Sequence, residues 1–316
     1  MVTVMTVKSS IWTVLPLTLL SGAAAAQDEN PISFDFYGKA NLSLQSNDEG
    51  DGSETELVSN ASRIGVKGGT KLNDDFEVIY KLEWQVDLAD LGGDGNLKSR
   101  NQYVGLKGKF GELTVGRRDT ALKTLQGDID QFSDYEADIK ALFEGENRTS
   151  DTISYYSPAF ADFRVAGSIV LSEDETQDDG YSLALTYGDE GLDDTPYYFG
   201  AGIDRDVDGY DIERLIGYTK VADTMFGLMW QQQQEVAGTN EADGFVASVE
   251  HALGSWRLKA QYQMMEFVDG DDDSIAFGAD YKFSKNTKVY AWYTGRDLDT
   301  LAEEQTYIAI GLEHRF

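Results

Sequence analysis

Residues 307–316, Tyr-Ile-Ala-Ile-Gly-Leu-Glu-His-Arg-Phe, end the chain with strictly alternating side chains. Ile308, Ile310, Leu312 and Phe316 fall on one face, while most residues of the other face are small or charged. A period of two with one apolar face predicts a β-strand that is half buried in an apolar environment. Two structures fit such a strand: the closing strand of a membrane β-barrel, or an edge strand of a soluble β-sandwich.

The same alternation recurs along the whole chain. Residues 76–87 alternate with one exception, Ile79, and residues 255–265 and 274–283 repeat the pattern. Repeated alternation over about ten residues is typical of strands that span a membrane as a barrel. We therefore predict an all-β fold, a 16-stranded antiparallel transmembrane β-barrel. Its strands are predicted near 32–46, 57–69, 75–87, 99–108, 111–117, 149–157, 162–172, 180–188, 195–205, 210–221, 224–234, 243–252, 255–266, 274–283, 287–296 and 305–316.

The predicted connections alternate in length, with tight turns at one end of the barrel and longer acidic connections at the other. This is the topology of outer-membrane barrels, and an even strand count places both termini at the periplasmic end. A barrel of sixteen strands leaves an aqueous channel, whereas eight strands leave room only for side chains.

Composition excludes several classes of protein. The net charge of −30 argues against nucleic-acid binding, because phosphate contacts require a basic surface. The chain has no cysteine, so an exported protein of this length gains nothing from disulfides. No segment approaches 18 consecutive apolar residues, which argues against a transmembrane helix.

The N-terminus resembles a secretory signal. Lys8 precedes a short apolar run over residues 11–20, and small residues follow up to Ala26. A basic start, a short apolar run and a small-residue cleavage site are the three parts of a signal peptide. We predict a signal peptide over 1–26 and a barrel over 27–316.

One connection, about 118–147, contains no good strand. It carries eight acids and eight large apolar residues, and a purely solvated loop would not need so many apolar side chains. Long loops inside compact domains are usually functional. We predict that this loop folds inward against the barrel wall.

The chain resembles a known family, the sixteen-stranded trimeric general diffusion porins of Gram-negative bacteria. The matching segments are Phe36-Tyr37-Gly38-Lys39, Ser62-Arg63-Ile64-Gly65-Val66-Lys67-Gly68, Arg100-Asn101-Gln102-Tyr103-Val104-Gly105-Leu106, Phe110-Gly111-Glu112-Leu113 with Gly116-Arg117, Ile153-Ser154-Tyr155-Tyr156-Ser157-Pro158 and Gly311-Leu312-Glu313-His314-Arg315-Phe316. The Pro-Glu-Phe-Gly sequence that many relatives carry at the tip of the third loop is absent.

The resemblance implies a water-filled channel for passive diffusion of ions and small hydrophilic solutes, with no cofactor. It also implies an outer-membrane homotrimer that contacts lipopolysaccharide and is inserted by the barrel assembly machinery.

The resemblance also implies a set of functional residues at the constriction of the pore. Basic residues of the wall would face acids of the third loop, and the final aromatic residue, Phe316, would be the assembly signal. The wall residues are Lys39, Arg63, Arg100 and Arg148, and the loop acids are Asp119, Asp128, Asp130, Asp134 and Glu136. With eight loop acids across from this wall, and acidic external loops, a weak cation preference is expected.

The residues bear on three alternatives. An enzyme is disfavoured because both histidines, His251 and His314, fall on the lipid-facing side of their strands. A calcium site at Asp269, Asp271 and Asp273 lacks the glycine and the glutamate that an EF-hand loop requires, so no metal site is predicted. A substrate-specific porin of the same fold, for sugars or another small polar solute, remains the main alternative.

Overall fold

A computed structural model describes residues 32–50, 52–90, 95–174, 178–238, 240–299, 301 and 303–316. The predicted signal peptide, residues 1–26, lies outside the described residues and stays a prediction. In the described part, helical structure consists of one short helix, α1 (Ala121–Leu125), and a 3-10 turn (Ile139–Ala141). No helix there is long and apolar enough to cross a membrane.

Seventeen strand segments form one antiparallel sheet. They are β1 (Ser33–Asp48), β2 (Ser53–Ser59), β3 (Arg63–Lys71), β4 (Phe76–Val86), β5 (Leu97–Gly108), β6 (Gly111–Asp119), β7 (Arg148–Tyr156), β8 (Phe163–Val170), β9 (Gly180–Gly188), β10 (Tyr197–Val207), β11 (Tyr210–Val221), β12 (Thr224–Glu235), β13 (Glu241–Leu253), β14 (Trp256–Phe267), β15 (Gly270–Lys282), β16 (Thr287–Asp297) and β17 (Gln305–Arg315). β2 and β3 lie end to end along one edge of β1, and β17 pairs with its other edge. The predicted closed 16-stranded barrel is thereby confirmed.

The break between β2 and β3 is a local irregularity within one barrel strand. Ala61 has a φ of 46°, which interrupts the regular ladder beside β1. The hydroxyl of Ser62 replaces the missing ladder bonds, accepting from the Asn41 backbone N–H at 2.9 Å and donating to the Asn41 carbonyl at 3.1 Å. The chain therefore stays attached to β1 through the interruption.

The two faces of each strand differ as the alternation predicts. On β12, Phe226 and Leu228 project outward, and 65% of Leu228 is exposed. Met229 and Gln231 point inward and are buried. Apolar residues outside and polar residues inside are the arrangement required of a barrel that stands in lipid and holds water.

The C-terminal residue completes the seam between β1 and β17. Phe316 and Gly38 exchange two backbone hydrogen bonds, of 2.8 and 3.1 Å. The Phe316 ring lies over Gly38, where a Cβ would fall 2.7 Å from the ring carbon Cε2. A side chain at position 38 would therefore displace the ring from the seam.

The connections follow the predicted alternation in length only in part. Connections 87–96, 120–147 and 298–304 are long and share one end of the barrel, but the β10–β11 connection at that end is a two-residue turn. Its residues Asp208 and Gly209 have φ of 55° and 82°, the left-handed conformations of a tight hairpin turn. The opposite, turn-bearing end includes one longer connection, 189–196.

Candidate functional site

Residues 120–147, which connect β6 to β7, form a segment that we name the constriction loop. It starts at α1, where the Thr120 side chain accepts a hydrogen bond from a first-turn N–H at 3.3 Å. Leu122 and Leu125 on α1 are buried against β9 and β10. A Cβ at Gly202 would lie 2.9 Å from both leucine side chains, so this glycine lets the helix approach the wall.

The apolar side of the constriction loop is packed against the inside of the barrel. Each buried side chain of this size contributes about 1.5–3 kcal/mol relative to exposure. One group packs against side chains of β9 to β14, and the other against side chains of β15 to β17. The eight residues predicted as anchors are all buried: Leu122, Leu125, Ile129, Phe132, Tyr135, Ile139, Leu142 and Phe143.

Wall glutamines fasten the backbone of the loop. Gln261 and Gln263 both donate to the carbonyl of Ala137, at 2.9 and 2.8 Å. Gln231 donates to the carbonyl of Glu144 at 3.0 Å. These bonds satisfy loop backbone groups that would otherwise be buried without partners. The loop is therefore held by polar contacts as well as by its apolar side chains.

A buried ion pair holds the end of the loop. The Arg214 guanidinium on β11 lies 2.6 Å from the Glu146 carboxylate, and the two side chains are 0% and 8% exposed. Arg214 also donates to the Glu144 carbonyl at 2.9 Å and to Gln231 at 2.6 Å. Burial raises the pKa of Glu146, outweighing the opposing charges of Arg214 and Lys123.

Asp134, at the tip of the loop, faces two of the four predicted wall residues. Its carboxylate lies 2.6 Å from the Lys39 ammonium and 3.5 Å from the Arg63 guanidinium. Burial alone would raise the pKa of Asp134, but the positive charges of Lys39 and Arg63 outweigh it and hold the pKa below the usual range. Asp134 therefore keeps its charge at neutral pH.

Arg100, the third predicted wall residue, contacts an acid of the wall itself. Its Nε lies 2.8 Å from the Glu83 carboxylate on β4, and Lys81 lies 3.4 Å from the same group. The pairing of β4 with β5 shifts between Leu82 and Trp84. This β-bulge explains why alternation alone left the direction of Arg100 ambiguous.

Arg148, the fourth wall residue, contacts Asp119 at the root of the loop. Its guanidinium lies 2.8 Å from the carboxylate. Lys123 lies 3.7 Å from the same carboxylate, and Asn101 donates to it at 2.7 Å. Asp119 and Asp134 are thus the two predicted loop acids that contact the predicted wall.

The other three predicted loop acids contact different groups. Burial, aided by nearby Glu250, raises the pKa of Asp128. Asp130 is buried and accepts backbone hydrogen bonds from Phe132 at 2.9 Å and Ile139 at 3.1 Å. Burial first, and then the nearby charge of Asp138, raise its pKa well above the usual range.

Glu136 lies against β1 and β16. Its carboxylate accepts from Gln45 at 2.9 Å and lies 3.7 Å from Arg296 on β16, which also donates to the Glu136 carbonyl. Of the five predicted loop acids, Asp119 and Asp134 thus contact the predicted wall bases, whereas Asp128, Asp130 and Glu136 have other surroundings.

A polar cavity of about 530 Å³ lies beside the loop tip, toward the 283–286 turn. Asp134 and Tyr135 line it from the loop, and Lys39, Lys259 and Lys288 line it from the wall. The cavity is the water-accessible space next to the Asp134 contacts.

A sequence profile described as Gram-negative porin matches residues 12–301. The chain belongs to the Gram-negative porin family. It is thus an outer-membrane porin, a water-filled channel for passive diffusion of ions and small hydrophilic solutes.

Individual relatives agree with this assignment. The porin is 27% identical over 293 residues to the major outer membrane protein P.IB of Neisseria meningitidis serogroup B / serotype 15 (strain H44/76), covering 83% of this chain and 85% of the relative. Its fold is similar to that of an anion-selective porin from Comamonas acidovorans, with a TM-score of 0.76 and 19% identity. The match covers 90% of this chain and 100% of that porin. It is also similar to a trimer form of OmpT from Vibrio cholerae, with a TM-score of 0.69 and 18% identity. That match covers 90% of this chain and 99% of OmpT.

Sequence reasoning missed several residues of this porin's constriction. Lys81 and Glu83 lie on the polar face of a strand that the alternation identified, so their inward direction was available as a signal. Arg214 and Arg296 meet the loop from distant strands. No local pattern indicates those contacts, because they depend on how the loop crosses the barrel.

Proposed function

We propose that this porin is a general diffusion channel whose width and charge preference are set where the constriction loop faces β1 to β7. The contact of Asp134 with Lys39 and Arg63 supports this proposal most directly, because it brings a loop acid and two wall bases together at the edge of the polar cavity. Charges at such a site act on solutes by charge and size and involve no covalent chemistry.

The sugar-specific alternative needs exposed aromatic residues along the pore. Tyr290 and Trp292 point inward but are buried beneath Tyr135 of the loop, with ring centroids 4.9 and 5.7 Å from it. Tyr156 has the Arg118 guanidinium 4.2 Å from its ring. Because these faces are already covered, the arrangement favours general diffusion.

Reconstitution of the purified porin tests the proposal. We expect stepwise channels in a planar bilayer, and swelling of proteoliposomes at rates that fall steadily with solute size. Saturable uptake of one sugar, with little flux of other solutes of equal size, would support the substrate-specific alternative instead.

An enzymatic role is not part of this proposal. His251 and His314 each hydrogen-bond through Nδ1, at 2.9 Å, to a threonine of the neighbouring strand, Thr224 and Thr287 respectively. Both histidines lie near the last residues of their strands, β13 and β17, beside the turn-bearing end of the barrel.

We also propose that the constriction itself favours anions. Six bases surround it, Lys39, Arg63, Lys81, Arg100, Lys123 and Arg148, against three carboxylates, Glu83, Asp119 and Asp134. This balance differs from the weak cation preference expected from counting all loop acids. The acidic external loops act over longer distances, which salt screens beyond about 8–10 Å. The preference should therefore shift toward cations as salt is lowered.

Changing Arg63 and Arg148 together to glutamine is expected to shift the permeability ratio toward cations by about twofold or more, because charged rings set selectivity in such pores. Reversal potentials in a salt gradient measure the shift. The matched control changes Lys107 and Lys109, beside a periplasmic turn, to glutamine, and should leave the ratio nearly unchanged. Equal shifts in both variants would contradict the proposed role of the wall.

We propose that the porin assembles as a homotrimer, with both termini periplasmic and with lipopolysaccharide as an outer-leaflet neighbour. The trimer form of the similar OmpT structure supports the first part. Mass measurement of the detergent-solubilised protein before and after heating tests it, and a monomer before heating would contradict it.

We further propose that Phe316 is read by the barrel assembly machinery and then closes the seam over Gly38. Deleting Phe316 is expected to lower the amount of folded porin in the outer membrane, because both the signal and two seam hydrogen bonds are lost. Gel migration with and without heating, on isolated outer membranes, measures the folded amount. A normal amount of folded protein in the deletion strain would rule out this role.

A further inference from the structure

Glu83 is an acid placed within the basic wall. It lies on β4, and its side chain is only 5% exposed. The carboxylate is held from three sides: Arg100 at 2.8 Å, Lys81 at 3.4 Å and the Tyr37 hydroxyl, which donates at 2.8 Å. Three contacts fix its position and leave little rotational freedom.

Each of the three carboxylates at the constriction is shared by two bases. Asp134 is shared by Lys39 and Arg63, and Asp119 by Arg148 and Lys123. Glu83 differs from the other two because it stands in the middle of a wall strand. Movement of the loop tip would displace Asp134 but would leave the charge of Glu83 in place.

The charge of Glu83 bears on three of the wall bases. Besides its two direct partners, it lies within electrostatic reach of Arg148. Arg100, its closest base, is in turn within reach of Asp134. Charges in a narrow gap bounded by protein are screened less than charges at an open mouth. Removing this one negative charge therefore leaves an uncompensated positive charge beside Arg100 and Lys81.

We propose that Glu83 is a specificity-determining residue that limits the anion preference of the pore. This inference rests on the proposed function, a channel whose charge preference is set at the constriction. Glu83 offsets part of the charge of Lys81 and Arg100, so that the wall attracts anions without holding them. It acts on the permeating ion through its fixed charge, and not through movement of the loop.

The variant Glu83→Gln tests the proposal, because glutamine keeps the shape and can still accept from Tyr37. We expect the anion-to-cation permeability ratio to rise about twofold or more at moderate salt, and the rise to shrink at 1 M salt, where the screening length is about 3 Å. The matched control is Glu112→Gln, which removes the same charge from a pair with Arg118 near the 109–110 turn. The control should change the ratio little.

A second variant separates charge from structure. Glu83→Gln combined with Arg100→Gln removes one charge of each sign and should return the ratio to near the wild-type value. If Glu83 had a purely structural role, the permeability ratio of the double variant would instead differ from the wild type more than that of Glu83→Gln, and its conductance would also change. An unchanged ratio in folded Glu83→Gln channels of normal conductance would overturn the inference and leave the channel function standing. If the wild-type porin forms no channels, the proposed function itself fails.

Discussion

Replacing Arg214 with methionine is expected to destabilise the folded porin by about 3–5 kcal/mol, because it leaves the Glu146 carboxylate buried without its partner. The variant also removes the hydrogen bonds from Arg214 to Gln231 and to the Glu144 carbonyl. The midpoint of urea unfolding in lipid vesicles, followed by tryptophan fluorescence, measures the loss.

The control for this prediction is Arg205→Met. Arg205 also forms an ion pair, 2.7 Å from Glu213, but the two side chains are 28% and 52% exposed. Exposed pairs are worth about 0–1 kcal/mol, so this variant should unfold close to the wild type. Combining Arg214→Met with Glu146→Gln should recover much of the lost stability, since no buried charge is then orphaned. Equal losses in the two single variants would show that Arg214 has no special role.

The loss at Arg214 should depend on pH in a defined direction. Burial already raises the pKa of Glu146, and removing Arg214 takes away a charge that opposes this rise. A carboxyl with a raised folded pKa favours the folded state below its unfolded pKa and loses that contribution as pH rises through the folded pKa. The cost of Arg214→Met should therefore be smallest in acid and grow toward neutral pH. Unfolding midpoints measured across this range check the direction.

Removing residues 124–142 should raise single-channel conductance by about twofold or more, because an unobstructed sixteen-stranded barrel leaves a wide aqueous channel. The barrel should still fold, since its backbone hydrogen bonds run between strands and not through the loop. Planar-bilayer recordings measure the conductance, and heat-modifiable gel migration confirms folding.

The control deletion for the loop removes residues 172–178, between β8 and β9. Ser172 of that connection hydrogen-bonds to Asp174 and Asp179 of the same connection, so conductance should change little. A folded 124–142 deletion with wild-type conductance would show that the loop does not limit the pore.

Most of the barrel was predictable from the sequence because lipid outside and water inside impose a period of two. The predicted strand over 255–266 corresponds to Trp256–Phe267, and the predicted final strand over 305–316 to Gln305–Arg315. The Asp208–Gly209 turn shows where reasoning from length alone failed. An Asp-Gly pair between two alternating segments is a strong signal for a tight hairpin, whichever end of the barrel it occupies.

The constriction was predictable only in part, for a physical reason. Lys39 and Asp134 are 95 positions apart, and their contact depends on the path that the loop takes across the barrel. The sequence identified the anchoring side chains, because a solvated loop has no need of them. It could not show that the Asp130 carboxylate accepts hydrogen bonds from backbone N–H groups of the loop itself, since those bonds depend on the local fold.

The packing of the loop sorts the inward residues of this porin by task. Those on β9 to β17 that its apolar side chains cover hold the loop in place. Lys39, Arg63, Lys259 and Lys288 instead line the polar cavity. We therefore expect substitutions in the first group to change thermal robustness and substitutions in the second group to change permeability.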